Sequence, residues 1–314
     1  MLWIIAVIAI LLVTALIVFI CYAYRIAFYM PPVGKRRENI YDLPRGEQYE
    51  KERQKMRALI AEMETIPYEE VFITAKDGVR LFGRYYHVKD GAPLQIQFHG
   101  YRGTALRDFC GGNKLARDAE HNTLVVDQRA HGKSGGRAIA FGVKEREDCL
   151  LWAEYARERF GKETPLFLSG VSMGAATVLM ASSLPLPDNV AGIIADCPYS
   201  SPEAIIRRVC KKMHLPPLIA FPFVRLSARL FSGFDVCAAS PLEAVRNTAL
   251  PILLLHGEAD RFVPLEMSRQ IYEAAKGEKA LYTFPGAGHG LSYLTDTAAY
   301  EEAVRTFIGA CLSE

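Results

Sequence analysis

The sequence predicts an α/β fold: a mostly parallel central sheet with helices on both faces, a helical cap insertion and an N-terminal transmembrane helix. Three observations predict it. From residue 94 onward, short continuous apolar runs alternate with longer stretches of helical periodicity, the pattern of a parallel sheet covered on both sides. Residues 198–250 break that alternation with helical and proline-rich segments too long for an ordinary strand-to-helix connection. The stretch from Leu2 to Tyr24 carries no charge, and Thr14 is its only plainly polar side chain.

Each element follows in order. As a helix rising ~1.5 Å per residue, the N-terminal stretch covers a hydrocarbon core of ~30 Å, with Trp3, Tyr22 and Tyr24 placed as interfacial aromatics. A cleaved signal peptide would show a basic start, a shorter apolar core and a small-residue cleavage site, and these are poor here. Residues 1–24 are therefore expected to be a retained anchor. Residues 25–66 read as a Pro-, Gly- and charge-bearing linker followed by an amphipathic helix with Tyr49, Met56, Leu59, Ile60 and Met63 at mostly helical spacing. Residues 67–314 form the remaining domain. Two strands joined at Asp77-Gly78 open it. Strands are then expected at 94–98, 123–127, 165–169, 191–196, 251–256 and 280–284, with helices notably at 142–160, 173–184 and 265–276. The cap occupies about 198–250, and its "LPPLIAFPFVRL" places Phe221 and Phe223 as candidates to line an apolar pocket.

Composition excludes several classes. A net charge of +2 over 314 residues, without a basic arm, gives no footprint for nucleic acid. Seven scattered cysteines with no paired spacing read as reduced thiols, and no Cys/His cluster suggests a metal. No glycine-rich phosphate cradle follows a strand, so no cofactor is expected. Lys and Arg lie only after the apolar stretch, at Arg25, Lys35, Arg36, Arg37 and Arg45, which places the C-terminal side in the cytoplasm. Arg207, Arg208, Lys211 and Lys212 share one helical face. That face reads either as solvated or as a contact for anionic lipid.

The chemistry centres on "GVSMG", where Ser172 sits between a strand and a small-residue helix, flanked by Gly170 and Gly174. This is the context of a nucleophile elbow: a cramped turn holds the hydroxyl at a helix N-terminus, where backbone N–H groups face developing negative charge. A serine needs a histidine to take its proton, and that histidine needs a carboxylate to orient it. His289 follows the last strand in a glycine-rich loop, and Asp260 follows the strand before it. Asp196, at another strand end, is the rival acid; Glu258 falls two residues early and Asp127 suits a loop anchor. His99 and His256 read as structural partners at strand ends, and His131 as ordering its loop.

With "HGYRG" (99–103), "DQRAHGKSGG" (127–136), "GVSMG" (170–174), "HGEADRFVP" (256–264) and "GAGHG" (286–290) in this order, the chain resembles α/β-hydrolase-fold serine hydrolases. It is similar to bacterial membrane-anchored esterases and to the ABHD13/ABHD17-like branch. The resemblance implies Ser172 as nucleophile, Asp260 as acid, His289 as base, and an oxyanion hole from the backbone N–H groups of Tyr101 and Met173. The expected reaction is cleavage of carboxylic esters or thioesters with an apolar acyl group through an acyl-enzyme, on small-molecule or lipid-like substrates at the membrane. Two alternatives remain open. A peptidase or aminopeptidase of the same fold would hold a peptide terminus, with Arg102 the motif-borne candidate; a non-catalytic membrane-tethered scaffold would tolerate a broken triad, and this one is complete.

Overall fold

The computed structural model describes residues 2–36, 39–44 and 46–313, so Arg37 and Arg45 of the flanking charge lie outside the described residues. Its strands are β1 (Glu69–Thr74), β2 (Arg80–Tyr86), β3 (Leu94–Phe98), β4 (Asn122–Asp127), β5 (Leu166–Val171), β6 (Val190–Asp196), β7 (Ile252–Gly257) and β8 (Lys279–Phe284). They form one sheet in the order β1-β2-β4-β3-β5-β6-β7-β8. β2 is antiparallel to both of its neighbours, and every later pairing is parallel. This is the α/β-hydrolase arrangement that the resemblance implied.

The order dictates where a site can form. From β3 the chain steps outward to β4, then returns past β3 to β5 and continues the other way. β3 and β5 are therefore neighbours whose following loops leave the same end of the sheet in opposite directions. That is a topological switch point, where parallel sheets open a crevice. The loop after β3 carries Tyr101 and the loop after β5 carries Ser172.

Helices cover both faces because the strands are apolar on both. α1 (Leu2–Ala27), α2 (Arg53–Glu64), α3 (Ala105–Asp118), α4 (Glu145–Phe160), α5 (Met173–Ala181), α6 (Pro202–Lys212), α7 (Pro217–Ser232), α8 (Leu265–Ala274) and α9 (Thr297–Leu312) are the longer ones. Trp152 of α4, Leu179 of α5 and Ile271 of α8 pack on one face with Ile96, Leu168 and Leu254. On the other face, α9 packs Tyr300, Val304 and Ile308 against Phe167, Ile194 and Leu255. There too Met56, Ile60 and Met63 of α2 join Phe109 of α3.

α3 and α9 were not among the helices read from sequence. α3 starts at Thr104, whose Oγ1 accepts the Arg107 N–H at 3.2 Å, and carries Gly111-Gly112 in its middle. The stretch read as a linker is packed as well, with Leu43 buried. Tyr49, read into the amphipathic helix, precedes α2 and is buried, and its hydroxyl donates to the His289 carbonyl at 3.2 Å.

The insertion holds α6, α7 and two short helical turns, packed over the strand ends. α1 lies against α7: Phe19 meets Phe223 edge-on at 5.6 Å, and Tyr24 meets Phe231 at 5.0 Å. Just past α1, Phe28 is fully buried between Phe141 and Phe234. From Leu2 to Val18 the large apolar side chains of α1 are exposed, so the protein itself does not cover them. Among the described residues, α1 is the one helix long and apolar enough to cross a membrane.

Candidate active site

β5 ends at Val171, and Ser172 turns the chain into α5 at φ 56°, ψ −112°, a strained conformation for a side-chain-bearing residue. The flanking glycines permit the turn. A Cβ on Gly174 would stand 1.7 Å from the Phe98 carbonyl oxygen, and one on Gly170 would stand 2.2 Å from the Gly174 backbone. Ser172 N–H donates to the Asp196 carbonyl at 2.8 Å, fixing the turn to β6.

His289 and Asp260 meet because the loops after β7 and β8 are bonded together. Ala259 N–H donates to the Ala287 carbonyl at 2.9 Å, and Glu258 N–H to that of Phe284 at 3.0 Å. Gly257 allows this approach, since a Cβ there would lie 2.3 Å from the Ala287 oxygen. His289 Nδ1 is then 2.6 Å from Asp260 Oδ2, and its Nε2 is 2.9 Å from Ser172 Oγ. With Nδ1–H donating to the carboxylate, Nε2 is left as an acceptor for the serine hydroxyl. Asp260 Oδ1 accepts the N–H groups of Phe262 at 2.7 Å and Val263 at 2.8 Å. Burial alone would raise the Asp260 pKa. The ring N–H groups of His256 and His289 outweigh that and hold it well below the usual carboxylate range.

The other candidates fall elsewhere. Asp196 is buried beneath the turn, and no hydrogen bond links it to His289; burial pushes its carboxyl up to about 6. Glu258 is exposed and accepts from Thr283 at 2.8 Å. Asp127 anchors its loop, pairing with Arg84 at 2.8 Å and accepting Lys133 N–H at 2.9 Å. His256 bridges Ser268 and the Val263 carbonyl at 2.7 and 2.9 Å, behind Asp260. His99 accepts the Gln128 N–H at 3.0 Å. Cys197 Sγ lies within 4.8 Å of the Asp260 and His289 ligand atoms, but burial raises its pKa well above the ordinary thiol value. A neutral thiol beside a histidine and a carboxylate already bonded to each other is a poor metal donor set.

Around the Tyr101 loop, neither the Tyr101 nor the Met173 N–H has an acceptor among the described residues. His131 accepts the Arg102 N–H at 3.1 Å, and Asp108 accepts that of Gly100 at 2.8 Å. Asp108, on the unforeseen helix α3, is a positioning residue the sequence reading missed. Burial would raise its pKa, and the charge of the Arg107 guanidinium, with the Gly100 N–H it accepts, brings it below the ordinary value instead. The Arg102 guanidinium is committed: it donates to the carbonyls of Ile26 at 3.0 Å and Tyr29 at 3.1 Å. That leaves the peptidase alternative without its candidate terminus holder.

Two cavities meet at Ser172. One, of about 420 Å³, includes Gln97, Asp108, His289 and Lys212 in its lining. The other, of about 320 Å³, is bounded by α1 and the cap helices, and its cap wall is built by Ile206, Val209, Ala220 and Val224. Phe221 and Phe223 do not line it, contrary to the expectation. Phe221 is buried under the Arg207 guanidinium at 4.4 Å, and Phe223 faces Phe19.

Residues 98–303 match the alpha/beta hydrolase family. The chain belongs to that family. This alpha/beta hydrolase is 28% identical over 195 residues to the protein YqkD of Bacillus subtilis, covering 62% of this chain and 64% of that one. It is 26% identical over 197 residues to the lysophosphatidylserine lipase ABHD12 of Danio rerio, covering 60% of this chain and 49% of that one. It thus spans about half to two thirds of these curated relatives. Among solved structures it is similar to the Pyrococcus furiosus esterase Pf2001, with TM-score 0.63, 22% identity and coverage of 79% and 93%. It is also similar to Est1E of Butyrivibrio proteoclasticus with bound ferulic acid, with TM-score 0.60, 23% identity and coverage of 78% and 100%. At these identities the structures share the fold.

Proposed function

We propose that this alpha/beta hydrolase is a membrane-tethered serine hydrolase that cleaves carboxylic esters or thioesters with an apolar acyl group. One observation carries the reading: the Ser172 hydroxyl, held at a strained turn, is 2.9 Å from a histidine that a buried carboxylate orients at 2.6 Å. In the proposed reaction His289 Nε2 takes the Ser172 proton as Oγ attacks the carbonyl carbon. Asp260 fixes the ring and stabilises its positive form. The N–H groups of Tyr101 and Met173 receive the oxyanion, each worth about 10²–10³ in kcat in comparable sites. His289 then gives the proton to the leaving group; in the second half it takes a proton from a water that attacks the acyl carbonyl, and returns it to Ser172 Oγ as the acid leaves. Relatives named as a lipase and an esterase agree with an ester substrate.

The tether rests on α1. A cleaved signal sequence would strip one wall from the apolar cavity and carry away the carbonyl of Ile26, to which Arg102 donates. The cytoplasmic orientation rests on Arg25 in the last turn of α1 and on Lys35 and Arg36 beyond it. A membrane-impermeant maleimide should leave the exposed Cys237 unmodified until the cells are opened. Modification of Cys237 in intact cells would place the domain outside.

The hydrolase itself is tested with p-nitrophenyl esters and an alkyl fluorophosphonate. Wild-type enzyme should turn over the esters and take up the phosphonate. Ser172→Ala should lose on the order of 10⁴-fold or more in kcat and all labelling. Equal labelling of the two proteins would remove the reading.

A further inference from the structure

α1 does more in this structure than its length and apolar composition require of an anchor. Its last two turns supply Phe19, Ala23 and Ile26 to the lining of the cavity of about 320 Å³, which the cap closes from the other side and which reaches Ser172. Among the described residues, no charged side chain lines this space. The end of α1 is also fixed to the loop beside Ser172. The Tyr101 hydroxyl donates to the carbonyls of Ile26 and Ala27 at 3.1 and 2.9 Å, and Arg102 donates to the first of these as well. Carbonyls that a helix leaves unpaired at its C-terminus are thus satisfied by side chains of the proposed oxyanion loop.

The position of the cavity along α1 indicates where its occupant comes from. Tyr22 and Tyr24, with Arg25 in the last turn, mark the interfacial end of α1. The cavity therefore lies where the helix leaves the hydrocarbon. α7, which forms one wall, turns Leu218, Ile219, Leu230 and Phe231 outward at 81, 63, 62 and 47% exposure. These residues lie beside a helix whose own apolar side chains are bare from Leu2 to Val18. An apolar surface of that extent on one side of a protein marks a covered face, and the bilayer that takes up α1 reaches it.

We propose that the space between the last two turns of α1 and the cap helices is the acyl-chain site, and that it takes the aliphatic chain of a bilayer-resident ester. The proposal rests on Ser172 being the nucleophile. The membrane helix is then part of the substrate site, and the chain lies along it with its carbonyl at Ser172.

The test uses the full-length enzyme in phospholipid nanodiscs and p-nitrophenyl esters from acetate to palmitate. Ala23→Trp fills the space from α1 and should lower the laurate-to-acetate ratio of kcat/KM by about tenfold or more, the scale of lost methylene contacts. Phe19→Ala opens the space and should move the optimum to longer chains. Leu12→Trp, on the bare part of α1, should keep the wild-type profile. Unmoved ratios in both Ala23→Trp and Phe19→Ala, with wild-type Ser172 still labelled by fluorophosphonate, overturn the acyl site alone. If Ala23→Trp does not accumulate, Phe19→Ala decides. Loss of wild-type labelling overturns the nucleophile and this site with it. For the source of the chain, monopalmitin embedded in the nanodisc should be cleaved faster than palmitoyl-CoA offered from solution. The reverse order overturns the bilayer as the source.

Discussion

The cavity of about 420 Å³ on the α3 side of Ser172 and the cavity of about 320 Å³ on the α1 side share Tyr101, Ser172 and Phe262. Otherwise they differ in origin and chemistry. The first is cut into the hydrolase domain itself, between the strand ends, α3 and the packed segment around Tyr49. It holds Gln97, fully buried, with neither amide atom hydrogen-bonded to protein, and the Lys212 amine lies near its rim, 5.0 Å over the Phe262 ring. The second is assembled from the insertion and α1, and Tyr199, one of its few polar groups, is already bonded to the Phe141 carbonyl at 2.9 Å. An unpaired buried amide favours an occupant that can hydrogen-bond, whereas an apolar wall favours a hydrocarbon. On the proposed reading, the leaving group lies on the domain side and the acyl chain on the membrane side, with the ester carbonyl between them.

The largest expected effect concerns the triad, which serves both halves. Asp260→Asn should cost about four orders of magnitude in kcat, because the histidine loses its tautomer and orientation, for every substrate alike. Asp196→Asn should keep most of the activity, and the reverse ranking would move the acid to β6. Next is the α1-side cavity from its cap wall. Ala220→Phe should lower kcat/KM for octanoate and laurate esters by about tenfold or more relative to acetate, and leave the ranking of leaving groups unchanged. On the domain side, Gln97→Leu should do the opposite. It should cost about two- to tenfold with leaving groups that can hydrogen-bond, the value of one neutral hydrogen bond, and spare the chain-length profile. If either variant moves both profiles, the two cavities do not divide the substrate.

The smallest effect separates the two strand-end aspartates by stability. Asp196 has its carboxyl raised by burial to about 6, so its contribution is fully present below the ordinary carboxylate range and is lost as pH rises through about 6. Asp260 is held below that range, so its contribution is present above the ordinary value and is lost as pH falls. Asp196→Asn should therefore raise Tm by about a few degrees at pH 8 and less at pH 4, while Asp260→Asn should lower it at both, because a carboxyl held well below the ordinary range keeps its charge at pH 4. Thermal denaturation at both values checks the signs.

The sequence shows the domain side better than the α1 side, for physical reasons. Continuous apolar runs mark β3 to β7 within a residue or two, because strands buried on both faces have little choice of composition. Gly170, Ser172 and Gly174 are legible together because no other small set of residues fits that turn. α3 is hidden by Gly111-Gly112. Glycine costs a helix about 1 kcal/mol per residue, and here the Tyr293 ring occupies the space that a side chain on Gly111 would need. Asp196 and Asp260 look alike in sequence. What separates them is depth: Asp196 pairs in register with Leu255 inside the sheet, and Asp260 stands beyond the end of β7 on a turn that reaches His289. The cap wall depends on how α7 is rotated, and packing of Phe223 onto α1 turns Ala220 and Val224 toward the cavity. No local pattern encodes that rotation, nor the meeting of α1 with a serine far along the chain.

One measurement reaches both sides of that serine. A long-chain alkyl fluorophosphonate with a diazirine at its tail is reacted with the full-length enzyme, photolysed, and the cross-linked peptides are identified by mass spectrometry. The predicted result is phosphonylation of Ser172, with the tail joined to α1 near Phe19–Ile26 or to α7 near Ala220 and Val224. Phosphonylation at another residue, or a Ser172 adduct whose tail joins α3 or the segment around Tyr49 instead, would contradict the account.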